Sequence, residues 1–195
     1  MSLTLPPPPS EALTVIRNAI SDVIETPGPR AALMTERVDS LDVAAPHPVY
    51  AVALEQIARR ELLSSATLVA WRYLLLDDQQ VRCAVEVAVR AEDRQLNFSH
   101  INRGPFVANS VESITVAETL APVQRDDYEL RLLKIPGLYL LALWLHGPDE
   151  IIVPVAPAIP GLVSNVPYNE SDLLAVLQPM AEERLSQEGN DLPDQ

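Results

Sequence analysis

Residues 132–147 read LLKIPGLYLLALWLHG and form the most apolar stretch of the chain. The uninterrupted apolar run at 138–145 is far shorter than the roughly 20 residues that a membrane-spanning helix needs. A Pro-Gly pair at 136–137 and a Gly-Pro pair at 147–148 bracket it, and both are turn signals because proline fixes φ and glycine accepts positive φ. We therefore predict a buried strand, with a short buried helix over 139–145 as the alternative.

Further strand patterns lie on both sides of this run. Residues 128–134 begin with apolar and charged side chains in alternation, which is typical of a half-buried strand. After the turn at 147–149, the β-branched residues 151–153 begin another strand. A continuous apolar run is expected for a strand that is covered on both faces. The whole segment is thus predicted to be a three-stranded antiparallel meander.

A hairpin is predicted before the meander. Residues 67–76 (TLVAWRYLLL) and 81–90 (VRCAVEVAVR) flank the polar turn 77–80. The second arm alternates strictly, which predicts one core face and one polar face. Cys83 shares the core face with four valines. A nucleophilic thiol needs an electropositive, partly exposed setting, so Cys83 is predicted to be structural.

Helical spacing of apolar residues predicts helices over 10–24, over 105–120 and from 169 or 171 to about 185. Residues 49–54 fit either a strand or the start of a helix. The polar segment 91–104 lacks a period and is predicted to be a loop.

These elements predict an α+β fold, in which a mainly antiparallel sheet of a hairpin plus a three-stranded meander has helices packed against it. One domain is expected over residues 10–186. Residues 1–9 contain four consecutive prolines and are predicted to form a mobile arm. Residues 187–195 are predicted to be a disordered acidic tail.

Charge argues against several classes of partner. The chain has 14 Lys and Arg against 27 Asp and Glu, a formal net charge of -13. Nucleic-acid affinity depends largely on neutralising phosphates with basic residues, so no nucleic acid is expected. No membrane association is expected either. The single cysteine excludes an intramolecular disulfide, and a soluble protein of the cytoplasm is the prediction.

The best ligand-site candidate is the segment 97–104. Asn97, Ser99, His100, Asn102 and Arg103 place an imidazole, a hydroxyl, two amides and a guanidinium just before a predicted helix start. Free N–H groups and the dipole at a helix N-terminus favour anions, so this segment is predicted to bind a carboxylate or phosphate. The alternative is that these side chains only cap the helix and satisfy the turn.

No catalytic residues, metal ligands or cofactors are predicted. His47, His100 and His146 lack metal-ligand spacing, and no phosphate-binding loop, dinucleotide motif or serine-nucleophile motif is present. Trp71 and Tyr73 share one face of the hairpin and are interface candidates, because aromatic residues are favoured at binding hot spots. Burial of this pair under a helix is the alternative.

Two functional hypotheses follow. The first is a non-enzymatic protein-interaction or regulatory domain, such as an adaptor, an inhibitor or a specialised chaperone, whose sheet edges bind a protein partner or a second copy. The second is a small-ligand-binding domain or small enzyme that uses the polar segment around His100.

Overall fold

The computed structural model describes residues 3–25, 42–78 and 80–190. The strands in these ranges are β1 (Leu3–Thr4), β2 (Asp42–Ala51), β3 (Thr67–Asp77), β4 (Gln80–Val89), β5 (Leu96–Asn102), β6 (Tyr128–Ile135), β7 (Leu140–His146) and β8 (Ile151–Pro154). The α-helices are α1 (Ala12–Glu25), α2 (Leu54–Ala58), α3 (Pro105–Glu118), α4 (Ala121–Arg125) and α5 (Glu170–Asn190).

All eight strands belong to one sheet, whose main path is β5-β4-β3-β2-β6-β7-β8. Neighbours on this path are antiparallel except β2 and β6, which are parallel. The short β1 also pairs with β6 in parallel, at Tyr128 and Glu129, beside the part of β6 that β2 does not reach. The prediction of an α+β fold with a mainly antiparallel sheet is confirmed.

The apolar stretch 132–147 contains the end of β6, a 3-10 turn at Pro136–Leu138 and β7. Alternate side chains of β7 enter different core clusters. Ala142 and Trp144 pack toward α2 and α5, whereas Leu143 and Leu145 pack toward α3 and α4. Helices therefore cover both faces of β7, which explains its continuous apolar sequence. Residues 49–54 contain the end of β2 and the beginning of α2.

Helix α1 covers the first half of the sheet on the same face as α2 and α5. Its residues Ala12, Ile16 and Ile20 pack on β3 and β4 side chains that include Cys83. Cys83 is fully buried, and burial raises the pKa of its thiol to about 11. A protonated, enclosed thiol is a poor nucleophile, in agreement with the structural role predicted for it.

The predicted polar face of β4 is wrong at the middle of the strand, whereas Arg82 near its start is exposed. Ala84 and Glu86 lie on that face, and both are buried. The reason is α3, whose residue Val107 packs against Ala84 and against Leu74 of β3. The alternation was read correctly, but it could not reveal that a later helix covers the second face.

The predicted loop at 91–104 is also wrong, because residues 96–102 form β5 and pair antiparallel with β4. The pairing contains a β-bulge: His100 lies opposite Glu86 and Phe98 opposite Val87, so Ser99 is the extra residue. A bulge shifts the alternation by one position, which conceals the strand period in the sequence.

Regular structure extends into both terminal segments. Leu3 and Thr4 pair with β6, and Thr4 Oγ1 donates a hydrogen bond to the Tyr128 carbonyl at 3.1 Å. The mobility of residues 1–9 stays a prediction. Helix α5 continues to Asn190, so the start of the predicted disordered tail is helical. The remainder of that tail, 191–195, lies outside the described residues.

No helix in the described ranges is both long enough and apolar enough to cross a membrane.

Candidate functional site

Four titratable or charged residues lie side by side across four adjacent strands. His47 of β2 is opposite Arg72 of β3, Arg72 is opposite Glu86 of β4, and Glu86 is opposite His100 of β5. We call these four residues the ionic row. It lies between two apolar clusters, on the sheet face that α3 covers. Lys134 of β6 reaches the row from the far side of β2.

Glu86 is the centre of the ionic contacts. Its Oε1 lies 3.6 Å from Arg72 Nη1, and its Oε2 lies 2.5 Å from Lys134 Nζ and 3.6 Å from His100 Nε2. Arg72 and Glu86 are each only 2% exposed. The side chains of Lys134 and His100 are 26% and 44% exposed. The site is therefore closed around Arg72 and open to solvent at Lys134 and His100.

The buried guanidinium is incompletely satisfied. Arg72 Nε and Nη2 and Glu86 Oε1 make no hydrogen bond within the described ranges. Burial lowers the pKa of Arg72, and the Glu86 carboxylate opposes that shift. A buried charge without its partner is costly, so the ion pair with Glu86 is the main compensation for burying Arg72. Arg72 and Lys134 together carry one more charge than Glu86 neutralises.

His47 ends the row inside the protein. Its Nδ1 lies 2.7 Å from the Ala45 carbonyl, so this nitrogen carries the hydrogen and donates it. His47 is 2% exposed, and burial lowers its pKa to about 4. The hydrogen bond to Ala45 opposes this shift in the pKa, the Arg72 charge adds a smaller lowering effect, and Glu86 adds a still smaller raising effect. The imidazole is thus neutral at pH 7.

Lowering the pH from 6 to 5 should cost the folded protein about 1 kcal/mol through His47 alone. The pKa of His47 is about 4 when folded against 6.5 ordinarily. Between these values mainly the unfolded chain binds the proton, so stability present above pH 6.5 is lost as the pH falls toward 4. Urea titrations at several pH values, compared with His47→Asn, measure the effect. Parallel pH profiles for the two proteins would contradict it.

The structure separates the predicted ligand residues. Because of the bulge, Asn97, His100 and Asn102 lie opposite Ala88, Glu86 and Ala84, on the face of the ionic row. Ser99 Oγ lies 2.8 Å from His100 Nδ1.

Arg103 follows β5 and is exposed, and Gly104 makes no side-chain cap at the start of α3. The strand thus brings Ser99 and His100 into contact with each other, and His100 next to Glu86. It does not gather all five predicted residues around one point.

Trp71 and Tyr73 lie in the core beneath α1, with 8% and 1% exposure. Burial raises the pKa of Tyr73 to about 12. Neither ring is accessible to a partner in this arrangement, which corresponds to the alternative that the sequence left open.

Sequence reasoning missed Arg72, Glu86, Lys134 and His47 as members of one site. A signal was present, because Arg72 and Glu86 are opposite charges inside apolar strands, at similar distances from the hairpin turn. Pairing the two arms outward from the turn brings them together. The contribution of His47 depends on the β2–β3 pairing, and that of Lys134 depends on the parallel β2–β6 pairing. No local pattern indicates either of them.

The two outer edges of the sheet differ. Ile152 of β8 exchanges two backbone hydrogen bonds of 2.8 Å with Tyr168, and Asn165 N donates to the Pro154 carbonyl at 2.9 Å. Strand β5, by contrast, has backbone hydrogen bonds only to β4 within residues 3–25, 42–78 and 80–190. Residues 97–99 at its middle are exposed. The ionic row thus ends at a strand edge that has no further backbone partner among the described residues.

No group of three or more potential metal-ligand side chains occurs in the described part of the chain. The chain matches no known protein-family model, no curated protein and no solved structure, so the function proposed below rests on its own residues.

Proposed function

We propose that this chain is a protein-interaction domain that binds an extended segment of a partner along the outer edge of β5. The observation that carries the proposal is the difference between the two sheet edges: β8 is bonded to Tyr168, whereas β5 has no second bonding neighbour among the described residues. An open edge offers a row of backbone donors and acceptors, and strand addition is a common mode of peptide recognition.

The environment of β5 supports this role. Seven residues are long enough for a partner strand, since strands of five or six residues are typical. The inner side of β5 is attached to β4, and His100 contacts the buried Glu86. The Ser99 bulge distorts the edge, which is how natural sheets limit uncontrolled pairing. A moderately protected edge suits a selective partner better than general aggregation.

The small-ligand hypothesis for the same residues stays a prediction. Glu86 already accepts from Lys134 and lies beside His100, so the side of His100 that faces β4 has a carboxylate of the chain itself next to it. The cytoplasmic location and the homo-oligomer also stay predictions.

Site-specific photo-cross-linking tests the proposal. A photoreactive phenylalanine analogue at Phe98, which is 37% exposed, should form a covalent adduct with one partner in the native cells. The matched control carries the analogue at Val163, which is 60% exposed and lies between β8 and α5. Adducts from position 98 and not from 163 are expected. Equal labelling at both positions, or none at position 98, would remove the proposal.

A further inference from the structure

We infer that the partner segment carries an aspartate or glutamate opposite His100. This inference rests on the proposed binding at β5 and concerns the chemical class of the partner. Across the ionic row, the cation Arg72 is followed by the anion Glu86 and then by the imidazole of His100. A partner strand added beyond β5 would place one of its own residues next to His100, at the end of the ionic row. An imidazole N–H donates to a carboxylate and forms an ion pair with it when protonated, and opposite charges on facing residues stabilise a strand pair whereas like charges destabilise it.

The local charge at this edge favours an acidic segment. Residues 94–104, RQLNFSHINRG, contain two arginines and a histidine but no aspartate or glutamate, although the whole chain carries a net charge of -13. Glu92 and Asp93 precede this segment, and Asp93 pairs with Arg90. Behind His100, the positive charges of Arg72 and Lys134 outnumber the negative charge of Glu86. A local excess of positive charge attracts acidic partners and repels basic ones.

A second copy of this chain does not satisfy the same requirement through β5. Residues 96–102 contain no carboxylate, so pairing two β5 strands would leave His100 without an acidic residue opposite it. Two chains of net charge -13 would also repel each other. The charges therefore point to a different protein as the occupant.

The opposite face of β5 adds a second requirement. Phe98 lies opposite Val87, on the face that carries the α1 core, and its ring is 37% exposed. An apolar side chain of the partner would cover this ring, since aromatic and aliphatic pairs across strands stabilise a sheet. The expected segment is thus extended, with a carboxylate on one face and an apolar residue on the other.

The probe for this inference is a display library of random linear decapeptides, selected on the full chain. Peptides that compete with cross-linking from position 98 should share an Asp or Glu at one fixed position. Replacing that residue with its amide in a synthetic peptide should weaken binding by about tenfold, as expected for a charge pair at a partly exposed interface.

Charge reversal then tests the contact directly. His100→Glu should turn the selected preference from acidic to Lys or Arg, whereas His100→Lys should keep the acidic preference. The reversed preference also shows that the His100→Glu variant is folded, because an unfolded chain would select no consensus.

The outcomes separate the two proposals. Peptides that bind at β5 without an acidic preference, or with a preference that His100→Glu leaves unchanged, overturn this inference but not the proposed function. A library that yields no peptide competing at position 98 overturns both.

Discussion

Replacing Glu86 with glutamine is expected to lower the free energy of unfolding by about 3–5 kcal/mol, the usual loss when one partner of a buried ion pair is removed. Glutamine has nearly the same shape, so little packing is lost. The variant leaves Arg72 buried at 2% exposure without a counter-charge, and two of its nitrogens already lack a hydrogen-bond partner in the described ranges. It also removes the anion that Lys134 contacts.

Urea denaturation at pH 7, followed by circular dichroism and tryptophan fluorescence, measures this loss. Glu92→Gln is the matched control, since Glu92 is exposed and the same charge is removed; its effect should stay within about 0.5 kcal/mol. Combining Arg72→Met with Glu86→Leu should recover most of the stability, because an apolar pair can replace a buried ion pair. Equal losses for Glu86→Gln and Glu92→Gln would show that the ionic row does not stabilise the fold.

Replacing Trp144 with alanine is the second change with a large expected effect, about 3–5 kcal/mol of destabilisation. The indole is 5% exposed, and its Nε1 donates to Glu150 Oε2 at 2.5 Å. The Tyr50 ring meets it edge-on at 5.0 Å, and the Arg131 guanidinium lies 4.6 Å from its centroid. Alanine would remove the aromatic volume, the hydrogen bond and the cation–π contact together.

One variant separates the contributions to this loss of stability, and a second serves as a control. Trp144→Phe keeps an aromatic ring but removes the donor to Glu150, and should cost about 1–2 kcal/mol. Tyr139→Ala is the control, because its ring is 80% exposed. The backbone φ at this position is 54°, and it disfavours tyrosine and alanine alike, so the effect of the substitution should be small. Urea midpoints report all three variants, and Trp71 is the remaining tryptophan in the two Trp144 variants. A Trp144→Ala loss no larger than that of Tyr139→Ala would contradict the prediction.

The predictable part of the fold came from local hydrophobic patterns. The run at 138–145 is apolar because helices cover both faces of β7, and the turn residues around it mark the strand ends. The prediction for the second face of β4 was wrong because a helix covers that face as well. Small and charged residues such as Ala84 and Glu86 look solvent-facing until α3 is placed over them. Burial by a distant element leaves no periodic signal in the strand itself.

The candidate site was predictable only in part. His100 and its neighbours were identified from their chemistry, but as a loop, because the Ser99 bulge shifts the alternation of β5. The residue that His100 contacts, Glu86, lies on a different strand. Such a row depends on the register between strands, and register is set by pairings that are distant in sequence.

The parallel pairing of β2 with β6 affects how the chain folds during its synthesis. Val49 pairs with Leu132, and the chain between them contains β3, β4, β5 and three helices. While the ribosome is still adding those elements, β2 can pair with β3 but has no neighbour on its other side. The middle strand of the finished sheet is therefore an edge strand during much of synthesis. Because its contacts with β6 are so distant in sequence, the pairing of these two strands is expected to form slowly.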